Sequence, residues 1–178
     1  MRFRIAAVLV AVTALIGLSA TVATVASASP HTRPAVSCGL APGPYHLEAN
    51  AATSLGLTYH GVGNQPTVTS SIGDTTLECD IPPNIYVLHN DAGNCIRITD
   101  ASNDYNVIEE SGCSNSQLND SNYQWEGFPE NNNRVVFENI HFPSQWLGTE
   151  HCPPRNGDGV EGVTGDGGTC PTWVLASR

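Results

Sequence analysis

From residue 43 onwards, apolar and polar residues alternate in short stretches that Gly, Pro, Asn and Asp interrupt every few residues. Such alternation is typical of a β-strand with one buried face, and the interrupting residues favour turns. The spacing i, i+3, i+4, i+7 of an amphipathic helix is not sustained anywhere over three turns. The pattern therefore predicts an all-β domain over residues 43–178.

The alternating stretches recur in three similar units. Each unit begins with a strand, turns through Gly, Asn or Ser, and continues with a second short strand and a third β-prone piece. The units begin at Tyr45, Tyr86 and Val135, which are 41 and 49 residues apart. Two of them close on a tryptophan, Trp125 and Trp173.

The units span about residues 43–81, 84–128 and 133–176, and one unit cannot bury its apolar face alone. We therefore predict a single domain in which three units share a core with pseudo-threefold symmetry. A domain of this size buries roughly 68–70% of the surface of its unfolded chain. The residues predicted to face the core are Tyr45, Leu47, Leu55, Leu57, Leu77, Tyr86, Leu88, Ile96, Ile98, Val107, Trp125, Val135, Phe137, Leu147, Val160 and Trp173.

The N-terminal residues have the pattern of an export signal. Two arginines precede an uncharged apolar stretch over residues 5–18, and Ala26-Ser27-Ala28 follows as a small-residue cleavage site. An uncleaved membrane anchor is the alternative, but the strongly apolar part is short for a span of about 20 residues. We therefore expect a signal peptide over residues 1–28, a proline-containing tether over residues 29–42, and secretion without membrane attachment.

The charge balance excludes two classes of partner. The chain has 17 acidic residues against seven basic ones, all of them arginine, and a formal net charge of −10. Without the predicted signal peptide, five arginines remain and the net charge is near −12. An acidic chain without a basic stripe lacks the electrostatic footprint of a nucleic-acid-binding protein, and anionic membrane surfaces repel it.

Six cysteines follow the predicted signal peptide: Cys38, Cys79, Cys95, Cys113, Cys152 and Cys170. An even number in an exported chain predicts three disulfides, although many pairings are open. Cys95–Cys113 and Cys152–Cys170 share a separation of 18 residues, which leaves Cys38–Cys79 as the third pair. No CxxC spacing occurs, so we predict no metal ion bound by cysteine.

The second unit carries the clearest family signature. Its order of Tyr-x-Leu-x-Asn, Cys-Ile-x-Ile, a β-prone piece, a second cysteine and a closing tryptophan resembles the β-trefoil repeat of the ricin B-type lectins. Cys95 and Cys113 match the disulfide of that repeat, and Trp125 matches its final tryptophan. The third unit matches more loosely, and the first matches mainly in hydrophobic pattern. The resemblance implies a disulfide-stabilised β-trefoil that binds carbohydrate.

The chain departs from the family at the sugar-binding position. In the family's sugar-binding repeats an acid lies two residues after the first cysteine and accepts hydrogen bonds from sugar hydroxyls. Here that residue is Arg97, whose guanidinium can only donate. The nearest acids are Asp100 and Asp104, with Tyr105 as a stacking face and Asn106 as an amide. These four residues are the predicted carbohydrate site; the alternative is a polar loop in which Asp and Asn serve turn geometry.

No catalytic motif is present. The chain has no GxSxG, HExxH or P-loop, and its histidines are scattered. Glu109 and Glu110 are successive strand residues, so their side chains point to opposite faces and cannot converge on one bond. The acidic, glycine-rich segment 156–168 lacks the spacing of a calcium loop. We therefore predict no enzyme activity, no metal ion and no cofactor.

Arg155 suggests an alternative function. It follows Cys152-Pro153-Pro154, so a disulfide and two prolines would stiffen an exposed loop around one arginine. A stiff loop loses little entropy on docking, and a trypsin-like protease accepts arginine in its S1 pocket. The sequence thus leaves open a protease inhibitor that presents Arg155, and also a structural or interaction module without sugar binding.

Overall fold

The chain divides into two units, residues 1–33 and residues 34–178. The computed structural model describes part of the second unit, namely residues 38–81, 83–99, 106–112, 119–164 and 171–178. No helix in this described part is long and apolar enough to cross a membrane.

The described residues form β-strands, turns and bends without any helix, which confirms the all-β prediction. The strands in chain order are β1 (Gly43–Ala49), β2 (Ala52–Thr58), β3 (Thr67–Thr69), β4 (Asp74–Ile81), β5 (Ile85–His89), β6 (Cys95–Ile98), β7 (Val107–Glu110), β8 (Trp125–Pro129), β9 (Arg134–Asn139), β10 (Gln145–Thr149), β11 (Val160–Thr164) and β12 (Thr172–Ser177).

Six of these strands close into a barrel. In ring order they are β1, β4, β5, β8, β9 and β12, and each pairs antiparallel with its two neighbours. Closure gives every strand of the ring a partner on both sides, so the barrel has no open edge. The other strands pair as three antiparallel hairpins, β2–β3, β6–β7 and β10–β11.

A single hydrophobic cluster connects the barrel with the hairpins, because every one of the strands contributes at least one buried apolar side chain to it. The predicted core residues are buried in this cluster apart from Tyr45 and Leu55, which are partly buried and pack against it. The inward positions follow the period of two that strand geometry imposes. For example, Val135 and Phe137 on β9 are both fully buried.

The last residues of the predicted tether pack against the barrel. Leu40 is buried, and its backbone N–H donates to the hydroxyl of Tyr86 at 2.6 Å. Burial raises the pKa of the Tyr86 hydroxyl, which donates in turn to the Leu40 carbonyl at 3.2 Å. The Cys38–Cys79 disulfide joins this segment to β4. Residues 38–40 are therefore bonded to the barrel on two sides.

Trp125 and Trp173 make the same contact at two places. The indole Nε1 of Trp125 donates to the carbonyl of Ile96 at 3.3 Å, and that of Trp173 donates to the carbonyl of Leu147 at 2.8 Å. Both indoles are fully buried. Each bond ties a barrel strand, β8 or β12, to the first strand of a hairpin, β6 or β10.

We expect Trp173→Phe to lower the free energy of unfolding by about 2–3 kcal/mol, because it removes the donor from a buried carbonyl and leaves unfilled space. Trp146→Phe is the matched control, since the Nε1 of Trp146 is buried and has no hydrogen-bond partner among the described residues. That variant should lose less than about 1 kcal/mol. Urea unfolding followed by circular dichroism measures both, and equal losses would contradict the role given to the Trp173 indole.

Candidate functional site

Arg97, at the position of the family's acid, forms an ion pair. Its Nη2 and Nε both donate to Oε1 of Glu110, at 2.9 and 3.1 Å. Its guanidinium carbon also lies 5.9 Å from the centroid of the Tyr123 ring. The Glu110 carboxylate is therefore already paired, and residue 97 itself does not supply the acceptor that the family has at this position.

The equivalent positions of the other hairpins also lack an acid. Trp125 and Trp173 donate to the carbonyls of Ile96 and Leu147, so these two residues occupy equivalent positions in their hairpins. The residues that follow them, Arg97 and Gly148, are therefore equivalent as well. The pairing register of the hairpins places Gly56 at the same position in β2–β3. Since glycine has no side chain, a sugar site in this protein needs another arrangement of residues.

The predicted carbohydrate site is described only at Asn106, because Asp100, Asp104 and Tyr105 lie outside the described residues. The Asn106 carbonyl accepts hydrogen bonds from the backbone N–H and the hydroxyl of Thr99, at 2.8 and 2.9 Å. The Asn106 backbone is thus fixed at the start of β7, independently of its side chain.

Asn106 lines a polar pocket of about 340 Å³ together with Gln65, Glu150 and Glu161. Gln65 precedes β3, Asn106 precedes β7, and the two acids belong to the β10–β11 hairpin. We call this cavity, defined by its four residues, the hairpin pocket. It combines two carboxylates with two amides, and Asn106 is the one residue of the four that belonged to a site predicted from the sequence.

Contacts between the hairpins shape the pocket. Isolated antiparallel bridges join Thr67 to Gly159 and Asn106 to Glu161, so β10–β11 contacts both other hairpins. The amide nitrogen of Gln65 donates to a β11 carbonyl at 3.1 Å. A Cβ atom at Gly159 would lie 2.6 Å from that nitrogen, so only glycine permits this approach without a shift.

A buried carboxylate joins the other two hairpins. Glu109 on β7 is fully buried, and its carboxylate accepts hydrogen bonds from the backbone N–H groups of His60 and Gly61. The backbone N–H of Glu109 donates to the Asn64 carbonyl at 2.9 Å, and its carbonyl accepts from the Gly63 N–H at 2.7 Å. The loop between β2 and β3 is therefore bonded to β7 by both the backbone and the side chain of one residue.

Arg155, the residue of the inhibitor hypothesis, is exposed but lies in a closed turn. Its backbone N–H donates to Oδ2 of Asp158 at 2.6 Å, and its carbonyl accepts from the Asp158 N–H at 3.1 Å. The Gly157 N–H donates to the Val68 carbonyl at 2.8 Å, which ties the turn to β3. A serine protease needs the carbonyl at the scissile bond for its oxyanion hole. The closed turn therefore argues against presentation of Arg155 to a protease.

Disulfides hold the domain at further points. The Cα atoms of the bonded pair Cys38 and Cys79 are 6.3 Å apart. Cys95 on β6 and Cys152 in the β10–β11 loop are also disulfide-bonded. Their predicted partners lie outside the described residues: Cys113 and Cys170.

Comparison of the sequence with protein-family models and with curated proteins finds no match. Solved structures do match. The designed threefold-symmetric protein ThreeFoil gives a TM-score of 0.65 at 20% identity, over 76% of this chain and 99% of that one. A Polyporus squamosus lectin bound to the epitope Neu5Acα2-6Galβ1-4GlcNAc gives 0.59 at 14% identity, over 76% and 49%. An exo-β-1,3-galactanase from Clostridium thermocellum gives 0.62 at 15% identity, over 76% and 30%.

These likenesses support the β-trefoil fold that the resemblance implied. At identities of 20% and below they concern the fold alone. The chain spans nearly all of the designed protein but only about half of the lectin and less than a third of the galactanase.

We expect a large molar excess of the protein to leave the activity of a trypsin-like protease unchanged, because both backbone polar groups of Arg155 are bonded within the turn. Hydrolysis of a chromogenic arginine substrate measures this. The Arg155→Ala variant should behave in the same way. Inhibition that this substitution removes would restore the inhibitor hypothesis.

Proposed function

We propose that the chain is an exported, non-catalytic β-trefoil module of the ricin B-type kind, and that it binds carbohydrate through the hairpin pocket. The observation that carries this proposal is the convergence of two carboxylates and two amides from three hairpins on one cavity. The uncharged apolar leader with its small-residue cleavage site supports export.

The proposal includes a division of the domain into three units of four strands, β1–β4, β5–β8 and β9–β12. Strand pairing supports it, since the first and last strands of each unit pair with each other. The two middle strands of each unit form a hairpin. In this arrangement the hairpin pocket receives residues from all three units.

The chemistry of the pocket suits a sugar. Sugar hydroxyls both donate and accept hydrogen bonds; carboxylates accept them, and amides do both. A volume of about 340 Å³ falls within the range of small-molecule sites. Glu150 and Glu161 make the pocket negative, and its lining within the described part of the chain includes no basic residue. We therefore propose a neutral sugar rather than an acidic one.

Two of the matching structures are described as carbohydrate proteins: the lectin with its bound sialylated epitope and the galactanase. They support the ligand class and leave the position of the site open. Tyr105 precedes Asn106 in the sequence, and we propose that its ring stacks on the bound sugar. An aromatic ring beside planar polar groups suits a sugar, because the ring stacks on the sugar face while the polar groups bond its hydroxyls.

A glycan array followed by calorimetry with the best neutral sugar tests the function. We expect Asn106→Ala and Glu161→Gln to weaken binding at least tenfold, since the first removes an amide from the pocket and the second replaces a charged acceptor with a neutral amide. The backbone bonds of Asn106 remain in its variant, so the fold should persist. Asn131→Ala, in an exposed turn before β9, is the matched control and should bind normally.

Two outcomes would contradict this function. The first is the absence of binding to any neutral glycan at millimolar concentration. The second is binding that both pocket variants retain in full, which would place the sugar elsewhere on the domain.

A further inference from the structure

The loop between β10 and β11 gathers three side chains with metal-ligand atoms. Glu150, His151 and Asp158 each offer one such atom, and these atoms lie within 4.8 Å of one another. No other group of three His, Cys, Asp or Glu residues in the described part of the chain meets this condition. The sequence predicted no metal site, because none of its histidines has the spacing of a metal-binding motif. In the folded loop, however, Asp158 lies next to His151 although it is seven residues further along the chain.

We propose that Glu150, His151 and Asp158 bind a divalent transition-metal ion of the zinc type. One imidazole nitrogen and two carboxylate oxygens form a mixed donor set that zinc accepts, whereas calcium prefers six or more oxygens. Three protein ligands leave a fourth position of a tetrahedral ion open to water or to an added ligand.

An ion pair alone does not account for the cluster. Nδ1 of His151 lies 3.1 Å from Oδ1 of Asp158, a distance that a hydrogen bond from the imidazole to the carboxylate explains. The ligand atom of Glu150 is nevertheless within 4.8 Å of that of Asp158, so two carboxylates of like charge lie close together. A bound divalent cation removes this repulsion, and the net charge of −10 favours the approach of cations.

Asp158 and the backbone at the base of the loop are held in place by hydrogen bonds of the protein itself. The Asp158 side chain is only 9% exposed, and the Arg155 N–H holds its Oδ2 at 2.6 Å. The Glu150 N–H donates to the Gly159 carbonyl at 3.0 Å, which closes the base of the loop. Glu150 and His151 are exposed, so an ion can enter from the solvent side. A prearranged site loses less entropy on binding.

Titration of the untagged, chelator-treated protein with zinc chloride in a calorimeter tests the proposal. We expect one ion per molecule, with affinity at least tenfold weaker in His151→Ala and in Glu150→Gln. His141→Ala is the matched control, because His141 is an exposed histidine whose ring bonds to Ser121. The backbone carbonyl of His151 keeps its bond from Thr149 in the variant, so the turn should persist.

The absence of zinc binding at millimolar concentration would overturn the proposal. Unchanged binding in His151→Ala, or binding lost in His141→Ala, would also overturn it. Circular dichroism of each variant verifies that the fold is retained.

Glu150 also lines the hairpin pocket, so its variant cannot separate the two sites. His151 and Asn106 can, because each belongs to only one of them. We expect Asn106→Ala to bind zinc normally. Sugar binding without zinc binding would overturn the metal site and leave the carbohydrate function in place, and zinc binding without sugar binding would do the reverse.

Discussion

The carboxylate of Glu109 holds the β2–β3 and β6–β7 hairpins together, and the candidate site depends on that contact. It is fully buried and accepts the backbone N–H groups of His60 and Gly61. A buried carboxylate loses its hydration, so these hydrogen bonds are what make its burial tolerable. Gln65 lies four residues beyond Gly61, and Asn106 lies three residues before Glu109. The contact therefore positions two of the side chains that line the hairpin pocket.

The strand pattern was sufficient to predict the class of fold and most of the core. Side chains alternate across a strand, so apolar alternation identifies the inward face before any pairing is known. Leu47, Leu88 and Phe137 are fully buried for this reason. Alternation also places Glu109 on the inward face with Val107. It does not predict the hydrogen bonds that Glu109 accepts, because the donating N–H groups of Gly61 and His60 lie 48 and 49 residues away in the chain.

The candidate site could be predicted only in part, because pairing between distant hairpins assembles it. Asn106 was identified from its sequence neighbours, whereas Gln65 and Glu161 reach the same pocket through the bridges between hairpins. The departure of Arg97 from the family's acid was visible in the sequence. The ion pair of Arg97 with Glu110 could be predicted only once the register of β6 and β7 was known. That register places the two side chains on the same face of neighbouring strands.

Amide hydrogen exchange of a Glu109→Gln variant tests most directly whether this carboxylate organises the junction. Glutamine keeps the volume of glutamate but replaces one carboxylate oxygen with an NH2 group. This group is a donor, so it cannot accept a hydrogen bond from the backbone N–H of His60 or Gly61. We expect the Gly61 amide to lose protection and sugar binding to weaken. The same measurements on Glu110→Gln should show neither change, because Glu110 faces away and pairs with Arg97. Unchanged protection at Gly61 in Glu109→Gln would show that this carboxylate does not hold the two hairpins together.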